Sequence, residues 1–212
     1  LVKRAMTFFR NIPEIKILGD IHVPRLSIFS LRFTHQGQDL HYGFVTALLN
    51  DLFGIQVRGG CSCAGPYGHH LLGMDMEYSH KIEAEIQQGV MVLRPGWVRM
   101  NFNYFISEQE FDYILQAIKL VAQQGWRLLP YYQLDETSAV WRFQGTGNQL
   151  STSLLNFTFE QLVEEESAQT ATDNPDFAAL LETGKQTLEG EHAQWQTFAL
   201  HLPATADALR WF

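Results

Sequence analysis

The chain has 212 residues, 46 % of them apolar and 13 % aromatic, a composition that excludes a disordered polymer and suffices for a buried core. No run of about 18 apolar residues occurs, so no membrane-spanning helix is expected, and no basic segment followed by an apolar stretch opens the chain as a secretion signal would. The formal charge of −8 is uneven: residues 1–148 hold 13 basic and 13 acidic side chains, whereas 149–212 hold 2 and 10.

That asymmetry predicts a neutral domain over 1–148 and an acidic, mainly helical extension over 149–212. It argues against a nucleic-acid partner, because no basic face is available for phosphates. Two cysteines, Cys61 and Cys63, are too few and too close for a disulfide framework, so a reduced, cytoplasmic setting is expected. The sequence opens on Leu1 and runs at once into apolar residues, which suggests a piece of a longer protein.

In chain order, residues 1–12 read as the end of a helix stopped by Pro13. Residues 15–18 form a short strand candidate, and 26–33 a longer one rich in β-branched and aromatic side chains. Asp39 stands where an N-cap belongs, ahead of Phe44, Leu48, Leu49 and Leu52 at helical spacing, with Gly54 closing the run. Residues 55–58 are a brief extended piece leading into Gly59 and Gly60, and 61–73 lack periodicity and read as a loop. Asp75 caps a helix through Gln88. Residues 97–106 alternate Val98, Met100, Phe102 and Tyr104 with Arg99, Asn101 and Asn103, the pattern of a strand with two different faces. Ser107 and Glu110 form a capping box ahead of an amphipathic stripe from Phe111 to Val121. Residues 140–143 suggest a last strand, and 154–166 and 177–200 read as helical. The expected class is α+β, with a mostly antiparallel sheet covered by helices.

The most informative stretch is Arg58-Gly59-Gly60-Cys61-Ser62-Cys63-Ala64-Gly65-Pro66. A thiol acts as its thiolate, and a nearby arginine and free loop amides favour that form. The residues alone make this a candidate reactive-cysteine loop. A buried inert thiol, a redox pair and a metal site from Cys61, Cys63, His69 and His70 are the competing readings, and the C-x-C spacing is not a usual zinc pattern.

The string Arg58-x-Gly60-x-x-Cys63-Ala64-x-Pro66 resembles the loop of the desulfurase branch of class V aminotransferase-like enzymes, which depend on pyridoxal phosphate. The resemblance covers about residues 10–144 in order: the strand from Arg25, the helix from Asp39, the strand Pro95-Gly96-Trp97-Val98-Arg99-Met100-Asn101-Phe102, and the helix after Ser107. It implies the small C-terminal domain of a fold-type I enzyme, a homodimer in its parent form, acting on a small amino acid, with cysteine a candidate. It implies that Cys63 is the catalytic thiolate that becomes a persulfide. Arg99 would grip the substrate carboxylate, and Arg58 would support loop or substrate geometry. Cys61, Tyr67, His69 and His70 are further candidate loop contacts.

Cys61 and Ser62 stand where the desulfurases usually have histidines, and 35 residues separate Cys63 from Arg99. Lyases, epimerases and transaminases of the same family therefore remain open as reaction types. The family's cofactor lysine belongs to the large domain. Lys81, which follows His80, reads instead as a solvated helix residue, so no cofactor-binding residue and no metal ligand are expected within these 212 residues. The alternative is a non-catalytic interaction or metal-binding module derived from the same domain.

Overall fold

A computed structural model describes residues 1–60, 65–145, 175–190 and 200–212. The architecture is α+β with antiparallel sheets. Helix α1 (Val2–Arg10) leads into strands β1 (Ile15–Ile17), β2 (Ile28–His35) and β3 (Gln38–Leu40). Helix α2 (Tyr42–Phe53), strand β4 (Arg58–Gly60), and helices α3 (Gly65–Leu71) and α4 (Met76–Gln87) follow. Strand β5 (Trp97–Asn101) and helix α5 (Glu108–Gln124) precede a hairpin of β6 (Tyr132–Asp135) and β7 (Val140–Phe143). Helices α6 (Phe177–Glu189) and α7 (Ala204–Asp207) complete the described elements. Among them, no helix is long and apolar enough to cross a membrane.

The main sheet runs β1-β2-β5-β4, with β3 added on β2. Strand β2 holds it together, pairing with β1, β3 and β5, all antiparallel. Phe29, Leu31 and Phe33 point from β2 to one face, where Val98 and Met100 of β5 join them in the core. Helices α1, α2 and α5 cover that face. Phe9, Phe29, Phe102 and Phe111 form a chain of edge-to-face rings with centroids 4.8–5.8 Å apart, linking α1, the sheet and α5. Each such ring pair adds about 0.5–1.5 kcal/mol beyond its area burial.

Helix α5 starts as its sequence requires. Glu110 N–H donates to Ser107 Oγ and Ser107 N–H donates to Glu110 Oε2, a complete capping box. Asp75 accepts from Tyr78 N–H at the start of α4. The described parts of the acidic extension pack on the same body. The Phe177 ring of α6 packs, tilted, against Tyr113 of α5 with centroids 4.8 Å apart, and Leu188 is fully buried.

Four expectations need correction. Asp39 does not cap α2: it lies in β3, where Arg32 Nε donates to its buried carboxylate at 2.8 Å, and an ion pair outcompetes the cap. His41 takes the cap instead, its Nδ1 accepting from Gly43 N–H. The strand expected over 97–106 ends at Asn101: Phe102 N–H still donates to Ser27 O at 3.0 Å, and Asn103 then turns the chain by accepting from Phe105 N–H. Tyr104 is consequently 84 % exposed. Residues 65–71 are helical rather than a loop, since the fixed φ of Pro66 suits a first helical turn. The helix expected over 177–200 stops at Glu189, and residues 191–199, like 154–166, lie outside the described residues. Strand β6, the partner of β7, carried no recognised signal.

His41 has a second role. It is 1 % exposed and ringed by Tyr42, Trp141, Trp211 and Phe212. Its Nδ1 also accepts from the Trp141 indole N–H at 3.0 Å, so its Nε2 carries the proton and faces Val92 O. Burial lowers its pKa to about 4, against which the contact to Val92 O works only weakly. The unfolded chain then binds a proton near pH 6.5 that the folded chain refuses, so stability is full above pH 6.5 and is lost as the pH falls towards 4. The His41 share of that loss is expected to be about 3 kcal/mol at pH 4. Urea unfolding at stepped pH, compared with His41→Gln, checks it: the substituted protein should lack this part of the acid sensitivity.

Candidate active site

Strand β5 lies between β2 and β4, and antiparallel register sets which side chains meet. Ser30, Arg99 and Arg58 stand directly opposite one another on β2, β5 and β4, on the sheet face away from the Phe29–Met100 core pair. Directly opposed like charges destabilise a sheet. Neither guanidinium makes a hydrogen bond or ion pair with another described residue.

Arg99 lines a cleft of about 420 Å³. Its floor is the outer sheet face, with Ile28, Ser30, Trp97 and Arg99. One wall is α3, through Tyr67 and Leu71; the other is the segment from Leu18 to Leu26, which includes Asp20 and Arg25. That wall is tied by its own backbone: Arg25 Nη2 donates to Asp20 O, and the Asp20 carboxylate accepts from His22 N–H at 2.8 Å. Tyr67 is 62 % exposed at the cleft's mouth.

The structure brings Arg99 and Tyr67 into one cleft and sets Arg58 opposite Arg99 on β4, outside the cleft lining. His69 and His70 take the other side of α3, where they line a separate cavity of about 740 Å³ with Ser79, His80, Glu83 and Arg94. Cys61 and Cys63 lie outside the described residues. Their neighbours in the chain do not: Gly60 pairs with Trp97 in β4–β5, and the chain resumes at Gly65, two residues before Tyr67. Sequence reasoning missed Ser30, Trp97 and Arg25 as cleft residues. Trp97 shares a strand face with Arg99 by the two-residue period, so that signal was available. Arg25 sits in an irregular segment, where no period places it.

Glycine makes the close approach of β4 and β5 possible. A Cβ at Gly96 would stand 2.6 Å from Tyr42 Cε1 and 2.7 Å from the Gly60 backbone. Gly60 itself has φ +118°, which strains a side-chain-bearing residue.

The residues present do not fit an internal aldimine with pyridoxal phosphate. Lys81 is exposed on α4 and ion-paired with Glu77 at 2.7 Å, which raises its pKa, whereas a Schiff-base lysine needs a lowered one. Lys3, Lys16, Lys119 and Lys185 do not line the Arg99 cleft. Among the described residues, no three His, Cys, Asp or Glu side chains are grouped to hold a metal ion.

No protein-family model matches the chain, and no curated protein or solved structure does.

Gly96→Ala is expected to cost about 1–3 kcal/mol, the usual penalty of overpacking, because backbone rather than a flexible side chain must yield. Chemical denaturation measures the loss, and hydrogen exchange should show β4 amides opening faster than those of β2.

Proposed function

We propose that this chain is the substrate-binding part of a pyridoxal-phosphate-dependent enzyme of the class V aminotransferase type, acting on a small amino acid. In this reading Arg99 holds the substrate α-carboxylate, and Cys63 is a persulfide-forming nucleophile if the substrate is cysteine. The observation that supports it is an arginine whose guanidinium has no partner among the described residues, in a cleft of amino-acid size. A planar guanidinium fork matches a carboxylate bidentately, and the low-polarity floor of Trp97 and Ile28 strengthens the contact. Pyridoxal phosphate would supply the electron sink for chemistry at the α-carbon, held by groups other than the described lysines. Arg58, beside Arg99 on the neighbouring strand, raises the positive potential over the carboxylate position.

The chain's own contributions are binding and orientation. Ser30 and Arg99 share the sheet floor, so a carboxylate on Arg99 sits at a fixed depth. Tyr67 stands over the cleft's mouth, and Cys63 falls in the sequence between β4 and α3.

Binding tests the first half of the reading. L-Alanine should bind the chain in a saturable way by NMR titration, and Arg99→Gln should weaken it about 10- to 100-fold, the value of a hydrogen-bonded charge pair. Unchanged affinity in Arg99→Gln would remove the carboxylate assignment. Activity tests the second half. With cysteine supplied to the parent enzyme, sulfur should appear on residue 63, and sulfide release that persists in Cys63→Ala rules out the persulfide route.

A further inference from the structure

Arg58 and Arg99 stand directly opposite each other on β4 and β5, and Ser30 stands opposite Arg99 on β2. Opposed residues of antiparallel strands share a face, with Cβ atoms about 4.5–5.5 Å apart. Two guanidinium groups so placed repel unless an anion lies between them. Among the described residues none does: neither guanidinium has a hydrogen-bond or ion-pair partner, and the Ser30 hydroxyl has no hydrogen bond. The register and the two-residue alternation place Ile28, Trp97, Asn101 and Gly60 around the pair on this face, and none is acidic. The neighbouring arginines differ. Arg32 is ion-paired with Asp39, and Arg25 shares the cleft wall with the Asp20 carboxylate. Ser30 and Arg99 are half-buried and Arg58 is exposed, so the row can be reached from solvent. Gly60, beyond Arg58 on the same face, adds no side chain, and the space a Cβ would take there is open.

We propose that Ser30, Arg99 and Arg58 form a binding site for a phosphoryl dianion, the head of a small phosphate monoester or free phosphate. A carboxylate has one charge and two oxygens, which a single guanidinium fork satisfies. A phosphate monoester carries close to two charges at neutral pH and three acceptor oxygens. Its charge matches the two guanidinium groups, and its oxygens serve both of them and the Ser30 hydroxyl. Arg58 lies outside the cleft lining, so the head sits at the β4 margin of the cleft. This site shares Arg99 with the carboxylate reading and does not require it. A phosphoryl group held there excludes an amino acid from Arg99.

NMR titration of the isotope-labelled chain tests this through the Nε–H signals of Arg58 and Arg99, each identified by its disappearance in R58Q or R99Q. Methyl phosphate at about pH 7, above its second pKa near 6, should shift both signals in one saturable transition. Methyl sulfate has the same shape and one charge fewer, and should bind at least about 10-fold more weakly. R58Q alters an exposed side chain and should erase most of that gap, whereas R58K keeps the charge and should retain part of it. Inorganic phosphate identifies the source: binding weaker than that of methyl phosphate assigns an ester, and equal binding assigns free phosphate. Equal affinity for methyl phosphate and methyl sulfate, or a gap unchanged in R58Q, would overturn the paired site. It would leave the carboxylate reading, which L-alanine and R99Q test, standing. Methyl phosphate binding without L-alanine binding would remove the carboxylate reading and keep the paired site.

Discussion

The pairing of β5 between β2 and β4 is the constraint on which the site depends. Backbone hydrogen bonds fix three side chains, Ser30, Arg99 and Arg58, in a row across three strands. The same alternation that sends Val98 and Met100 into the core sends Trp97 and Arg99 to the other face. A shift of one residue in β5 would exchange those sets, placing a guanidinium among phenylalanines and Met100 in the cleft. The core therefore enforces the site: burial of Phe29, Leu31, Val98 and Phe102 holds the register that aims Arg99 outward.

Much of this was legible from the residues, and the failures have identifiable causes. Ser107 and Glu110 announced α5, because a capping box needs only local hydrogen bonds. Asp75 announced α4 for the same reason. Asp39 misled because its partner, Arg32, lies seven residues back on another strand, and a tertiary ion pair outranked the local cap. The early end of β5 comes from the turn at Asn103, which the alternation within 97–106 assigns to the strand. At the site, Arg99 and Arg58 stood out, whereas Trp97 was read as strand and Arg25 only as the start of one. That Arg25 and Trp97 line one cleft depends on the pairing of β2 with β5 and on the path of residues 18–26, which exist only in three dimensions.

Helix α3 divides the surface near the site. Tyr67 and Leu71 face the Arg99 cleft, while Pro66, His69 and His70 face the cavity shared with α4. A single seven-residue helix thus forms a wall of two cavities. The two differ in chemistry. The Arg99 cleft gathers hydrogen-bond donors, whereas the α3–α4 cavity mixes imidazoles with Asp75, Glu83 and Arg94 above apolar walls of Ile82 and Ile86. An anionic ligand is favoured in the first by charge, and nothing comparable selects for it in the second.

The aromatic box around His41 has a consequence for the order of assembly. Trp211 Nε1 donates to Leu93 O across 118 residues of sequence, and Tyr78 Oη donates to Leu209 O across 131. Contacts between positions so remote require a large loop to close, which makes them slow to form. The sheet and α5 can collapse around the phenylalanine chain first, leaving the imidazole wet and able to take a proton. Docking of Trp211 and Phe212 then expels that water. The C-terminal tripeptide from Arg210 thus acts as the lid that keeps the imidazole dry and uncharged.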